Sequence, residues 1–116
     1  METVLIVDDH AGFRSLARRL LAAEGFDVVG EAGSGVMAIE SARRLRPQIV
    51  LLDIQLPDLD GFEVARRLAE EGLGAATVLI STRDSSAYRR RLKSSPVVGF
   101  IPKGKLSGAA LAELVG

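Results

Sequence analysis

At 116 residues, the chain has the length of one small domain with a single core. Lys plus Arg number 15 and Asp plus Glu number 15, so the formal charge is zero, which excludes a general attraction to nucleic acid or an anionic membrane. The absence of cysteine excludes a disulfide, a thiolate metal site and a thiol nucleophile, and it fits a cytoplasmic protein.

The first apolar run, Val4-Leu5-Ile6-Val7, reads as a buried strand at about 3–8 and delivers the acidic pair Asp8-Asp9. A helix at about 11–24 follows, with Phe13, Leu16, Ala17, Leu20 and Leu21 on one stripe and Arg14, Arg18 and Arg19 outside it. A second strand is expected at about 27–32. Gly33-Ser34-Gly35 then reads as a turn, because no lysine follows to make it a phosphate loop. A second helix, about 35–45, ends before Pro47, which biases Arg46 away from helical geometry.

Ile49-Val50-Leu51-Leu52 forms the third strand, about 48–53, and runs into Asp53. Asp58 falls beyond it in a loop, before a helix at about 61–72. Val78-Leu79-Ile80 lies in the fourth strand, about 76–81, which ends at Ser81. The fourth helix, about 84–93, has few apolar anchors, and its run Arg89-Arg90-Arg91 reads as a solvated face or a protein interface. A fifth strand at about 97–101 leads through Pro102 to Lys103, and a last helix covers about 106–115. No signal peptide is visible, and no apolar run reaches the ~18 residues of a membrane span.

Strands alternating with helices predict one α/β domain over residues 1–116, a doubly wound five-stranded parallel sheet. Right-handed crossovers put helices on both faces, and ligands bind beyond the carboxyl ends of the strands. In the strand order 2-1-3-4-5, strands one and three are neighbours roughly 5 Å apart. Asp53 then lies beside Asp8 and Asp9. Each residue alone has a plain structural reading. Asp8 or Asp9 can cap a helix, Asp53 can close an Asx turn, Ser81 can cap, and Lys103 can be solvated. Together, three carboxylates and an ammonium point to a divalent cation and a phosphoryl group. Magnesium suits this set because it takes few protein carboxylates and keeps water and phosphate ligands. His10, the only histidine, lacks nitrogen or sulfur partners for a transition metal and reads as a helix-start or loop contact.

Over nearly its whole length the chain resembles the receiver domain of two-component response regulators. The matching residues are Asp8-Asp9, Asp53 with Leu56-Pro57, Asp60-Gly61, Ser81, and Phe100 with Lys103. The resemblance implies the flavodoxin-like receiver fold and a role in phosphorelay signal transduction. It implies that Asp53 accepts a phosphoryl group from the phosphohistidine of a sensor histidine kinase, with Mg2+ held by Asp8, Asp9 and Asp53. It also implies Ser81 as the switch hydroxyl, Phe100 as the switch aromatic and Lys103 as the phosphate-contacting lysine. Apart from self-phosphorylation and autodephosphorylation at Asp53, it implies no enzyme activity.

Asp8-Asp9-His10 and Gly99-Phe100-Ile101-Pro102-Lys103 look most like receivers joined to a helix-turn-helix output domain. That implies regulation of transcription, with DNA contacted only through a segment outside this chain, and a homodimer formed on phosphorylation. Two departures stand out. Thr82 occupies a position where the family usually has alanine or glycine, and with Gln55 and Arg83 it is expected to modulate access to Asp53. Proline precedes Lys103 rather than following it, leaving the isomer of the Lys103–Gly104 bond open.

Other functions compete. An aspartyl-phosphate phosphohydrolase needs an acid or base two residues after its nucleophile, where this chain has Gln55. A flavin or nucleotide carrier needs a neutral phosphate loop where Asp8-Asp9 sits. A degenerate receiver, binding without phosphorylation, is the remaining alternative.

Overall fold

The computed structural model describes residues 1–116. Five strands form one parallel sheet: β1 (Thr3–Val7), β2 (Asp27–Ala32), β3 (Ile49–Asp53), β4 (Ala76–Ser81) and β5 (Gly99–Pro102), in the order β2-β1-β3-β4-β5. The helices are α1 (Ala11–Ala23), α2 (Gly35–Leu45), α3 (Gly61–Glu70), α4 (Arg89–Lys93) and α5 (Gly108–Val115). Short 3-10 turns, Ser85–Tyr88 and Lys103–Lys105, precede α4 and follow β5. No helix is long and apolar enough to cross a membrane.

The strands sort their side chains by the two-residue period of the pleat. Leu5, Val7, Val50, Leu52 and Leu79 pack under α2, α3 and Tyr88. Val4, Ile6, Ile49, Leu51, Val78 and Ile80 pack on the other face, under α1 and α5. With both faces covered, β3 is buried along its whole length, which is why it reads as an unbroken apolar run.

Local chemistry sets the helix ends. Ser34, Asp60 and Ser107 each accept a hydrogen bond from a backbone N–H in the first turn of α2, α3 and α5. Arg46, held off the right-handed helical region by Pro47, ends α2 at φ 45°, and its N–H donates to the carbonyl of Ala42.

The sequence expectations miss in three places. The fourth helical segment breaks at Tyr88 (φ −124°, ψ 12°) into a 3-10 turn and five α residues, because it has so little apolar surface to bury. β5 spans Gly99–Pro102 rather than 97–101, so Val97 and Val98 lie before the ladder. On α1 the buried face narrows to Ala17 and Leu21, and Leu16 is exposed. Arg14 and Arg18, outside that stripe as expected, both pair with Glu31 on β2.

Candidate functional site

The carboxyl ends of β1, β3, β4 and β5 bring the expected residues to one edge of the sheet. β1 ends at Val7, and the Asp8 N–H still donates to the carbonyl of Ala32, so the chain leaves the ladder at the acidic pair. Val7 and Leu52 are register partners, which sets Asp8 level with Asp53. Asp8 and Asp53 are buried, while Asp9 is partly exposed. Carboxylate oxygens of Asp8, Asp9 and Asp53 and a ring nitrogen of His10 all lie within 4.8 Å of one another.

Neither aspartate of the pair caps α1. His10 occupies the cap position with no side-chain capping bond. Asp8 Oδ1 instead accepts from the His10 backbone N–H at 2.8 Å, and Arg14 Nη1 donates to the Asp8 carbonyl at 2.6 Å. These contacts fix the pair without neutralising it. His10 Nδ1 approaches Asp8 Oδ1 at 3.2 Å and Asp9 Oδ1 at 3.0 Å, so the loop contact expected for this residue falls on the acidic cluster itself.

Lys103 reaches in from the far side. Its Nζ donates to Asp53 Oδ2 at 3.1 Å and sits 2.5 Å from Asp8 Oδ2. The ammonium also lies 4.7 Å from the ring centroid of Phe13, whose electron-rich face favours it. Burial works to lower the Lys103 pKa, but the Asp8 and Asp53 carboxylates outweigh it and hold the ammonium above its ordinary value. Burial raises the Asp53 pKa and the charge of Asp8 adds to the rise, against the Gln55 N–H and the Lys103 ammonium. Asp53 Oδ1 accepts that N–H at 3.1 Å.

The loop after β3 folds back tightly. The Gly61 N–H donates to the Ile54 carbonyl at 2.7 Å, and a Cβ on Gly61 would lie 2.5 Å from the Asp53 carbonyl oxygen. Only glycine fits this position, which explains the Asp60-Gly61 pair. Asp58 lies in this loop, as expected, but its carboxylate accepts the N–H groups of Gly35 at 2.7 Å and Val36 at 2.9 Å. It ties the loop to the start of α2, and those bonds hold its pKa below the ordinary value.

One buried atom bears on whether a cation fits. Asp8 Oδ2 is buried and has the Lys103 ammonium as its one close partner. One ammonium thus serves the buried oxygens of both Asp8 and Asp53 while Asp9 adds a third carboxylate, so the cluster carries more negative charge than Lys103 alone balances. The oxygen-rich set fits a hard divalent cation such as Mg2+.

Ser81 is buried at the end of β4, one residue past the register partner of Asp53. Its Oγ accepts from the Arg83 N–H at 3.1 Å and meets Tyr88 Oη at 3.4 Å. Phe100 is half-buried on β5, its ring centroid 6.2 Å from that of Tyr88. Gln55, Thr82 and Arg83 are exposed around the opening. Every peptide bond is trans, Lys103–Gly104 included. Of the basic run, Arg91 is not simply solvated: it pairs with Asp60 at 2.6 Å and lies 4.1 Å over the ring of Phe62.

Sequence reasoning missed Tyr88 and Phe13 as site neighbours. Tyr88 is the chain's only tyrosine and the one aromatic in an otherwise sparsely anchored helix, a signal that was available. Phe13 reads as one more residue of an apolar stripe until the fifth strand sets Lys103 above it.

Comparison with known proteins converges on this geometry. The family model described as the response regulator receiver domain matches residues 4–114. BvgA of Bordetella pertussis, described as a positive transcription regulator of virulence factors, is 40% identical over 100 residues, covering 86% of this chain and 48% of BvgA. The response regulator GacA of Pseudomonas viridiflava is 35% identical over 116 residues, covering 99% of this chain and 52% of GacA. The chain therefore spans about half the length of the curated relatives it matches. Among solved structures, the signal receiver domain of NarL from Mycobacterium tuberculosis superimposes with a TM-score of 0.86 at 32% identity, covering 99% of this chain and 97% of that one.

Proposed function

This chain belongs to the family of response regulator receiver domains, and on that premise we propose that Asp53 is its phosphoacceptor and that residues 1–116 form one phosphorylation-controlled switch. The observation that carries the reading is a buried carboxylate, Asp53, with a lysine ammonium 3.1 Å from one oxygen and further carboxylates within 4.8 Å. Buried acids without such partners are rare in ordinary cores.

The donor is the phosphohistidine of a sensor kinase met in the cytoplasm. An Asp53 carboxylate oxygen attacks phosphorus, the P–N bond breaks, and the imidazole leaves. Asp8, Asp9 and Asp53 would hold Mg2+. When bound, the ion neutralises the carboxylates and the charge of the transferring group. The chain's own residues do the positioning. The Gln55 N–H orients one Asp53 oxygen, and Lys103 holds the other and then follows the phosphoryl oxygens. Ser81 donates its hydroxyl proton to the phosphoryl group, and Phe100 moves inward. Gln55, Thr82 and Arg83 govern how water reaches the acyl phosphate, whose hydrolysis resets the switch. No other substrate is turned over.

The output is transcriptional, through a DNA-binding segment outside residues 1–116; phosphorylation changes the surface of α4, β5 and α5 and promotes a homodimer. The transcriptional output rests on the description of BvgA and on the length of the relatives.

The test is incubation with a small phosphodonor and Mg2+ followed by intact mass measurement. One phosphoryl group is expected on the wild type and none on Asp53→Asn. An adduct persisting in Asp53→Asn overturns the assignment. Titration calorimetry with Asp9→Ala is expected to show weakened Mg2+ binding, and unchanged binding removes Asp9 from the cation site.

A further inference from the structure

Tyr88 is the only buried residue between Thr82 and Ser94. Its ring sits between two others, with centroid separations of 5.9 Å to Phe62 on α3 and 6.2 Å to Phe100 on β5. Its hydroxyl is 3.4 Å from Ser81 Oγ. Phe100 has no hydroxyl, so the polar connection to Ser81 falls to Tyr88.

The hydroxyl inventory of Ser81 is small: one proton to donate and two lone pairs. The Arg83 N–H uses one lone pair. We propose that Tyr88 is a positioning residue that occupies Ser81 in the resting state and is released when Ser81 turns to a phosphoryl group on Asp53. This rests on the phosphoacceptor reading of Asp53 given above.

Relative strength decides the direction of the exchange. Oxygen–oxygen hydrogen bonds cluster near 2.7–2.8 Å, so a 3.4 Å contact between two neutral hydroxyls is weak. A bond to an anionic phosphoryl oxygen is roughly twice as strong as a neutral one. Ser81 has a single proton, so turning it to the phosphoryl oxygen withdraws it from Tyr88. Tyr88 then loses its polar anchor, and its ring is left to shift against those of Phe62 and Phe100. Tyr88 is the one fully buried residue of the segment carrying α4, which is otherwise held by half-buried Leu92 and the Arg91–Asp60 pair, so a shift of Tyr88 displaces that segment. Tyr88 converts a hydroxyl rotation at the site into displacement of a surface.

The chain supplies its own probe, because Tyr88 is the sole tyrosine and there is no tryptophan. Beryllofluoride with Mg2+ serves as a stable phosphoryl mimic. Fluorine NMR first reports whether the mimic is bound to the wild type. Tyrosine emission then reports the surroundings of Tyr88. A change in emission on binding is expected in the wild type and is lost in Ser81→Ala. In Tyr88→Phe, which keeps the ring packing, the mimic is expected to bind about two- to fivefold more tightly, the scale of one weak hydrogen bond no longer competing.

Bound mimic with unchanged emission overturns the proposal. So does equal or weaker binding in a Tyr88→Phe variant with wild-type stability. If Tyr88→Phe is unstable, the emission arm alone decides. Absence of bound mimic in the wild type overturns the phosphoacceptor reading, and this proposal with it.

Discussion

The third and fourth helices lie on the same face of the sheet and are built very differently. α3 starts on the Asp60 cap, packs Gly61 against the Asp53 backbone, and buries Phe62, Val64, Ala65 and Leu68. The 85–93 segment starts on the Asp84 cap, breaks after one turn, and buries only Tyr88. Burying one large apolar side chain is worth about 1.5–3 kcal/mol. A hydrogen bond to a charged group is worth about the same. One hydrogen bond to a charged group is therefore comparable to the burial of Tyr88, which the fourth segment supplements only with half-buried Leu92 and the Arg91–Asp60 pair, but not to the four buried side chains of the third. The site bridges the two. Its carboxylates stand at the ends of the buried strands β1 and β3, and its hydroxyl leads into a loosely held element.

The largest effect that tests this contrast is a pair of truncations. Leu68→Ala is expected to cost about 2–4 kcal/mol, the range for a buried leucine in a core. Leu92→Ala, on a half-buried α4 position, is expected to cost roughly 1 kcal/mol or less, scaled by the smaller area it hides. Urea unfolding of both variants measures the difference. Equal losses break the comparison, because α4 is then as firmly packed as α3.

The contrast also explains what was legible in the sequence. Runs such as Ile49–Leu52 advertise themselves because the strand is covered on both faces. The strand-end pattern then makes Asp8, Asp9, Asp53, Ser81 and Lys103 readable as a set. The weakly buried parts escaped. β5 is a short, half-buried edge strand, so its start is set by pairing with β4 rather than by its own residues. The break at Tyr88 follows from missing core contacts that no local pattern encodes. Asp58 serves α2 from 22 to 23 residues away, and Phe13 meets Lys103 only after folding. Such partnerships have no periodicity to find.

A second effect, intermediate in size, concerns charge on the rigid side. Because Asp8 and Asp53 are both buried at the strand ends beside the Lys103 ammonium, removing that ammonium should be felt in global stability. Lys103→Met is expected to cost about 1–3 kcal/mol at neutral pH, below the full penalty of breaking a buried pair because Asp53 can take up a proton. Asp53→Asn is expected to raise stability. The sign follows from linkage: a carboxyl whose pKa is raised on folding binds protons more readily when folded. Stability then falls as pH climbs from the unfolded carboxyl value of about 3.9 to the higher folded one. Asn removes that loss. Lys103 has the opposite sense, its raised pKa contributing stability below the unfolded value of about 10.4 and losing it as pH rises through the folded value. Thermal melts of both variants from pH 4 to pH 11 test this, and a Lys103→Met variant as stable as the wild type throughout contradicts it.

The smallest expected effect is the sharpest probe, because it separates the two helices at one residue. Asp60 does two jobs: one oxygen caps α3 through the Glu63 N–H at 2.9 Å, and the other holds Arg91 of α4 at 2.6 Å. Asn caps about as well as Asp but carries no charge. Asp60→Asn should therefore leave α3 intact and loosen α4 alone. The pair is partly exposed, so the loss is expected within about 0.2–1 kcal/mol and is screened by salt. Hydrogen exchange resolves what a global melt cannot. Amides of residues 89–93 are expected to exchange a few-fold faster in Asp60→Asn, while those of 64–68 keep their protection. Acid should act in the same direction on the wild type. Burial tends to raise the Asp60 pKa, but Arg91 and the backbone N–H groups of Glu63 and Phe62 outweigh it and hold it below the ordinary value. The tie is then fully present above the unfolded value of about 3.9 and is lost as pH falls through the lower folded value. Faster exchange in α3, or no change in α4, would mean that Asp60 serves the cap alone and that the fourth segment is held by something other than Arg91 and Tyr88.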